Sequence, residues 1–326
     1  MKAIVYTKFG PPDVLELKEV EKPVPKDNEL LIKVHATSVN AIDIIFRSGA
    51  SMLYGLTKFM AGFKKPKYKI LGFDASGEVE SVGENVNKFR KGDLVYGAAQ
   101  TPGANAEYVC IPEDNMAIKP ANMIHEEAAA VPDTACTALT GLRDKVNIQD
   151  GQRVLIYGAS GGVGSYAVQI ASLYTTEVTA VCSTNKISMA QSLGANAVID
   201  YTKDDFTKNG QTYDVIFDAV GRKKISYLHC KNSLSENGIF ITTDLESVFF
   251  TRIFNKRVKS YLTSVTTEKL DFLKDNIEAG KIKSVIDKTF PLSQTAEAHR
   301  FYEEGHPMGK VVITIQGDTE FKDNES

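Results

Sequence analysis

Cysteine is scarce in this chain: Cys110, Cys136, Cys182 and Cys230 stand far apart among 326 residues, with no C-x-x-C pair. That excludes a disulfide framework and a zinc knuckle, and buried reduced thiols are the expectation for all four. Lys and Arg form no blocks and the formal charge is -3, so there is no electrostatic footprint for nucleic acid. No stretch approaches the ~20 apolar residues that span a bilayer. The opening "MKAIVYTKFGPP" lacks a hydrophobic run ahead of a small-residue cleavage site, so a cytoplasmic protein without stable membrane insertion is expected. Repeats are absent, and the only biased segment is the polar "GDTEFKDNES" at the end. What is present is a globular composition, 43% apolar, at a length that suits two domains of roughly 150 residues.

Two patterns divide the chain. Up to about residue 120, "KAIVYT", "ELLIKVHATSVN", "ASGEVESVGENV", "DLVYGA" and "AEYVCI" alternate between Gly, Pro, Asn and Asp turns, which predicts an all-β module. From about 125 the pattern is helix and short apolar strand in turn: "EEAAAVPDTACTALTGL", "RVLIY", a helix over 163–174, "EVTAVCS", a helix after Asn185, "AVID", "YDVIFDAV" and "GIFITT". Such alternation implies βαβ units and a parallel sheet. After about 262, "IDKTF" and "KVVITI" read as strands returning to the first module.

The stretch "RVLIYGASGGVGSYAVQIA", residues 153–171, joins a strand through a glycine turn to a helix. Ala159, Gly161 and Gly164 keep the register of G-x-G-x-x-G, with alanine at the first position. A helix start presents unpaired N–H groups and a partial positive charge, which suit a pyrophosphate. Ala159, Ser160, Gly161, Gly162, Val163 and Gly164 are therefore cofactor-binding candidates, the alternative being a tight turn without a ligand. After the second strand, "CSTNK" offers Ser183 and Lys186 and no acid, which favours NADP over NAD. The same residues also suit a helix cap. Tyr201, beyond the third strand, is placed beside the adenosine end.

The motifs "TSVNAIDIIFRSG", "LGFDASGEVESVGENVNKFRKGDLVYG", "AAAVPDTACTALTGL" and "VLIYGASGGVGSYAVQIA", in that order, resemble the medium-chain dehydrogenase/reductase superfamily and its zinc-free, quinone-oxidoreductase-like branch. The resemblance covers nearly the whole chain. It implies an α/β protein with a β-rich, GroES-like catalytic domain from residues 1–121 and 262–326. Between them it implies a Rossmann domain, a doubly wound parallel sheet over 122–261, with NADPH in the cleft and a homodimer through the Rossmann sheets. Zinc-dependent relatives hold their metal with an early Cys, a His-Glu pair and a later Cys. Here Asn40 and Asp43 occupy the first segment and Phe73-Asp74 the place of the pair, so no metal is expected. His35, His125, His229, His299 and His306 are scattered and read as surface or packing residues.

Oxidising a simple alcohol means removing a proton of pKa roughly 16, for which a bound metal is the usual help. Hydride addition to a quinone or an enone instead leaves a delocalised anion that a few hydrogen bonds stabilise. The expected activity is therefore NADPH-dependent reduction of a quinone or an α,β-unsaturated carbonyl. An enoyl thioester is the alternative acceptor, and a non-catalytic NADPH-binding protein the alternative class. By resemblance, Asn40 lies near the nicotinamide ribose and Thr137 bonds the cofactor. Val220, Gly221, Thr242 and Thr243 fall at strand ends where a dinucleotide lies. Phe249 and Phe250 wall the nicotinamide or belong to the core, and Lys310, after Gly309, reaches the cofactor. Residues 51–70, "SMLYGLTKFMAGFKKPKYKI", read as a lid with Tyr54 as a proton donor, as ordinary packing, or as a lipid contact.

Overall fold

The computed structural model describes residues 1–49, 61–221, 224–244, 251, 253, 255–305 and 307–315. Tyr54, Phe249 and Phe250 lie outside them. The first module starts with a hairpin of β1 (Lys2–Val5) and β2 (Glu16–Glu19). β3 (Glu29–Val39) then leads through α1 (Ala41–Ser48) to β4 (Asp74–Val82), its antiparallel neighbour. β5 (Leu94–Ala98) extends the sheet from β4, β6 (Tyr108–Pro112) pairs with the start of β3, and β7 (Met116–Ile118) pairs with β5.

The crossover passes through α2 (His125–Ala129) and α3 (Pro132–Leu139). The sequence read as one helical stretch here, but Pro132 has no N–H to continue the α2 ladder and opens a new helix instead. A π-type turn, Thr140–Val146, follows. The second sheet is wholly parallel: β8 (Val154–Tyr157), β9 (Val178–Cys182), β10 (Ala197–Asp200), β11 (Tyr213–Asp218), β12 (Leu234–Thr242) and β13 (Val258–Ser260). Its spatial order is β10-β9-β8-β11-β12-β13, the doubly wound arrangement whose winding reverses between β8 and β11. The crossovers carry α4 (Gly162–Ser172), α5 (Ile187–Ser192) and α6 (Tyr227–Cys230). α4 ends at Ser172 rather than 174 and is buried continuously from Gly164 to Ala171, because the sheet and its neighbouring helices cover it on all sides.

α7 (Thr267–Glu278) leads back to the first module. There β14 (Ile286–Pro291), α8 (Thr295–Gly305) and β15 (Lys310–Thr314) complete the chain, β15 lying antiparallel to β3. Three of the four thiols are buried as expected, while Cys110 is only half-buried. His35 and His125 stack with ring centroids 4.3 Å apart. His299 is fully buried, and His306 lies outside the described residues. Of the 51–70 segment, Ala61 is buried while Phe63, Lys64, Lys65 and Lys67 are exposed. No described helix is long and apolar enough to cross a membrane.

Candidate active site

The switch point between β8 and β11 is filled by the glycine turn. Gly158 takes φ 78°, a conformation glycine adopts freely, and the N–H groups of Gly158 and Ala159 both donate to the carbonyl of Val181 at 3.1 Å. A Cβ on Gly164 would stand 2.0 Å from the Gly158 carbonyl oxygen, so close helix–strand packing admits no side chain there. Gly161 differs. Its backbone is extended, and a Cβ would meet nothing nearer than the Gly158 oxygen at 3.6 Å. The protein's own packing does not require glycine at 161. The first helical bond of α4 runs from the Ser165 N–H to the Gly161 carbonyl at 2.9 Å, so the N–H groups of Gly162, Val163 and Gly164 precede the ladder. Donors at a helix start, beneath a position kept clear of side chain, fit a pyrophosphate. The turn is joined to the first module, since the Gly309 N–H donates to the buried Ser160 carbonyl at 2.8 Å and Gly161 pairs with Gly309.

Beside this seam lies a buried polar cluster. The Asp74 carboxylate, at the start of β4, accepts from Ser38 Oγ at 2.5 Å, from Asn40 Nδ2 at 2.9 Å and from the backbone N–H of Asp133 at 2.9 Å. The Lys310 ammonium donates to Asn40 Oδ1 and lies 3.5 Å from Asp74. Asp43 accepts from the N–H groups of Asn40 and Gly72, each at 2.9 Å. Burial raises its carboxyl to about 7, against those two hydrogen bonds. Asp133 is raised to about 6, chiefly by burial and then by the Asp74 charge. Among the described residues no three His, Cys, Asp or Glu side chains converge as a metal site. Among the described residues the cation at these oxygens is Lys310, and Phe73 brings no donor. This set does not fit a divalent metal.

At the other end, the turn Thr184–Lys186 follows β9, with Ser183 Oγ donating to Asn185 Oδ1 at 2.8 Å. An acid stands here that the reading of "CSTNK" did not contain. Asp200, at the end of β10, pairs in register with Cys182. Its carboxylate accepts from the hydroxyls of Thr184 and Thr202 and lies 3.6 Å from the Lys203 ammonium. The Thr184 bond leads in holding its pKa below the usual carboxylate range. Lys186 is half-buried, and burial lowers it against the attraction of Asp287. Tyr201 is 55% exposed beside this turn.

The zinc-binding dehydrogenase family matches residues 193–313, and the alcohol dehydrogenase GroES-like domain family matches residues 26–121. A 2-methylene-furan-3-one reductase of Solanum lycopersicum is 34% identical over 96% of this chain and 79% of its own length. An NADPH-dependent alkenal/one oxidoreductase of Arabidopsis thaliana, chloroplastic, is 33% identical over 96% and 79%. The solved quinone oxidoreductase of Coxiella burnetii superposes with a TM-score of 0.87 at 31% identity, covering 97% of this chain and 99% of that one. The chain belongs to the medium-chain dehydrogenases/reductases of the quinone-oxidoreductase type. In this quinone-oxidoreductase-type fold the GroES-like module and the Rossmann domain meet at the Gly161–Gly309 seam.

The structure gathers Asn40, Ala159 to Gly164 and Lys310 at the seam, and sets Val220 over Gly158, whose Cβ would lie 2.3 Å from Val220 Cγ2. Lys310 is 2% exposed and held by Asn40 and Asp74, which turns its ammonium into the cluster. Thr137 is half-buried, with its hydroxyl 2.9 Å from that of Thr263. Thr242 does not face the opening: it is fully buried and donates to Asp218 Oδ2 at 2.9 Å. The other Asp218 oxygen accepts from the N–H groups of Val220 and Gly221, each at 3.1 Å, and fixes that loop. Thr243 is half-buried at the same strand end. Sequence reasoning missed Asp133, Asp200 and Asp218. An acid closing an apolar strand, as in "VIFDA", was a usable signal for Asp218. The acid after Pro132 looked like any first-turn helix residue.

Proposed function

We propose that the protein transfers a hydride from NADPH to a quinone or to the β-carbon of an α,β-unsaturated carbonyl, without a metal. The observation that carries this reading is the open position above Gly161 at the start of α4, sealed to the module that holds Asn40 and Lys310. The names of the relatives, a furanone reductase and an NADPH-dependent alkenal/one oxidoreductase, support the cofactor and the acceptor. When bound, the dihydronicotinamide supplies the hydride. The chain's part is to place and shield it.

The N–H groups at the start of α4 receive the pyrophosphate, while Ser183 and Lys186 face the 2′-phosphate with the Asp200 charge already engaged by its neighbours. Asn40, fixed by Asp74 and Lys310, holds the nicotinamide ribose, and Thr137 lies one turn along α3. The acceptor's negative charge is delocalised as it forms, so orientation and hydrogen bonds suffice. Residues 1–121 and 262–326 form the catalytic domain in this reading and 122–261 the cofactor domain. A homodimer through the edge of the Rossmann sheet at β13 is part of it, supported by Leu262, two residues beyond that strand and 70% exposed. The test is steady-state NADPH oxidation by the purified protein with cyclohexenone, phenanthrenequinone and an enoyl thioester, beside NADP reduction with propanol. Enone or quinone reduction should far exceed alcohol oxidation and survive EDTA. Alcohol oxidation that outruns both and dies with chelation contradicts the reading.

A further inference from the structure

Three carboxyl groups crowd the cluster at the seam, and they are not equivalent. Asp74 is fully enclosed, with both oxygens accepting hydrogen bonds. Asp43 is 1% exposed and likewise bonded through both oxygens. Asp133 is only half-buried. Its backbone N–H is bonded to Asp74, and its carboxyl accepts no hydrogen bond among the described residues. On α3 the two residues that are not buried are Asp133 and Thr137, which at i and i+4 share one face. The helix itself adjoins the glycine turn: a Cβ on Gly162 would lie 3.1 Å from Lys310 Cδ and 3.3 Å from Cγ2 of Thr134, the residue next to Asp133. A half-buried carboxyl group that accepts no hydrogen bond among the described residues thus stands beside Asp74, Lys310 and the glycine turn.

We infer that Asp133 is the acid that supplies the second hydrogen of the reduction, an inference that rests on the reading of the site as an enone reductase. The C4–H bond of the dihydronicotinamide breaks with its electron pair, and a C–H bond forms at the β-carbon of the acceptor. The alkene π pair moves toward the carbonyl and gives an enolate. The Asp133 O–H then breaks, its proton joins the enolate at the α-carbon, and the carboxylate is reprotonated by water. The sum is enone, NADPH and a proton giving saturated ketone and NADP.

The environment keeps this proton available. Burial leads in raising the Asp133 carboxyl to about 6, and the Asp74 charge adds to it, while Lys310 opposes. These two, from β4 and β15, are the charged groups among the described residues that act on it. The Cys136 thiol on its own helix and the Tyr166 phenol of α4 are held neutral by burial. Lys269 of α7 engages Thr140 and Asp144 instead. General acids work best with a pKa near the working pH. The protonated fraction, and with it the rate of enone reduction, falls as pH rises through about 6.

The experiment compares wild type, Asp133→Asn and Asp133→Glu, full-length, with NADPH and either cyclohexenone or phenanthrenequinone across pH 5–9. The hydroquinone monoanion is a stable product that needs no proton in the site, so the two acceptors separate proton delivery from positioning. Asp133→Asn should lower kcat for cyclohexenone roughly tenfold or more and abolish its fall above pH 6, with KM for NADPH and the quinone rate nearly unchanged. Asp133→Glu should restore the pH limb. The thermal midpoint should hold, because the bond to Asp74 comes from the backbone. An unchanged enone rate and pH profile in Asp133→Asn overturns the inference, as does an equal loss for both acceptors with a raised KM for NADPH. Wild type inactive toward every enone and quinone overturns the parent reading, and this one with it.

Discussion

Gly161 and Gly164 are glycines for different reasons, and the difference can be measured. At 164 the obstacle is the protein's own backbone, a carbonyl oxygen 2.0 Å from where a Cβ would stand. Gly164→Ala must push α4 off β8, an overpacking cost of about 1–3 kcal/mol, and its thermal midpoint should fall by several degrees. At 161 the backbone angles suit any residue and the space is open. Gly161→Val should therefore melt like wild type and fail to bind NADPH by calorimetry. If it binds NADPH normally, the pyrophosphate is not over that residue. The turn was legible in the sequence because strand, glycines and helix are contiguous. The reason for each glycine was not, since only the neighbouring atoms distinguish a packing glycine from a ligand glycine.

In the proposed function the β9–α5 connection is the element that selects the dinucleotide. Its turn, Thr184–Lys186, was read correctly as free of acid. Asp200 reaches it only because β10 lies beside β9 in parallel register, and a charge on a neighbouring strand is invisible to a reading along one strand. Two threonine hydroxyls and Lys203 engage that carboxylate, and in the proposed function Lys186 meets the 2′-phosphate. Lys186→Ala should raise the Kd for NADPH about tenfold, or ~1.4 kcal/mol, and leave that for NADH nearly unchanged, as read by fluorescence titration. Equal losses for both cofactors would assign Lys186 a structural role. The break before α3 has a similar lesson. Pro132 announced a helix start, but that the next N–H would serve Asp74, 59 residues earlier, depended on tertiary packing.

Across the whole molecule, the division into a β-rich module from both chain ends and a parallel sheet between them was legible. Period-2 alternation and βαβ spacing are local signals, and the two late strands read as a return to the first module do lie in its sheet, β15 beside β3 and β14 beside β15. The cluster was not legible. Ser38, Asn40, Asp74, Asp133 and Lys310 meet only because β15 returns along β3, so that Asn40 bonds a lysine 270 residues away. That return also joins Gly309 to the glycine turn. One seam therefore holds the glycine turn, Asn40 and the carboxyl of α3, and in the proposed function hydride passes there from NADPH to the β-carbon of a conjugated acceptor. The most direct measurement uses NADPH deuterated at C4, on each face in turn, with cyclohexenone and the purified protein, and locates the label by NMR. Deuterium is expected from one face only, at the β-carbon of cyclohexanone, with the α-hydrogen drawn from water. Deuterium at the carbonyl carbon of an allylic alcohol, or NADPH oxidised without transfer of label, would contradict the proposed function.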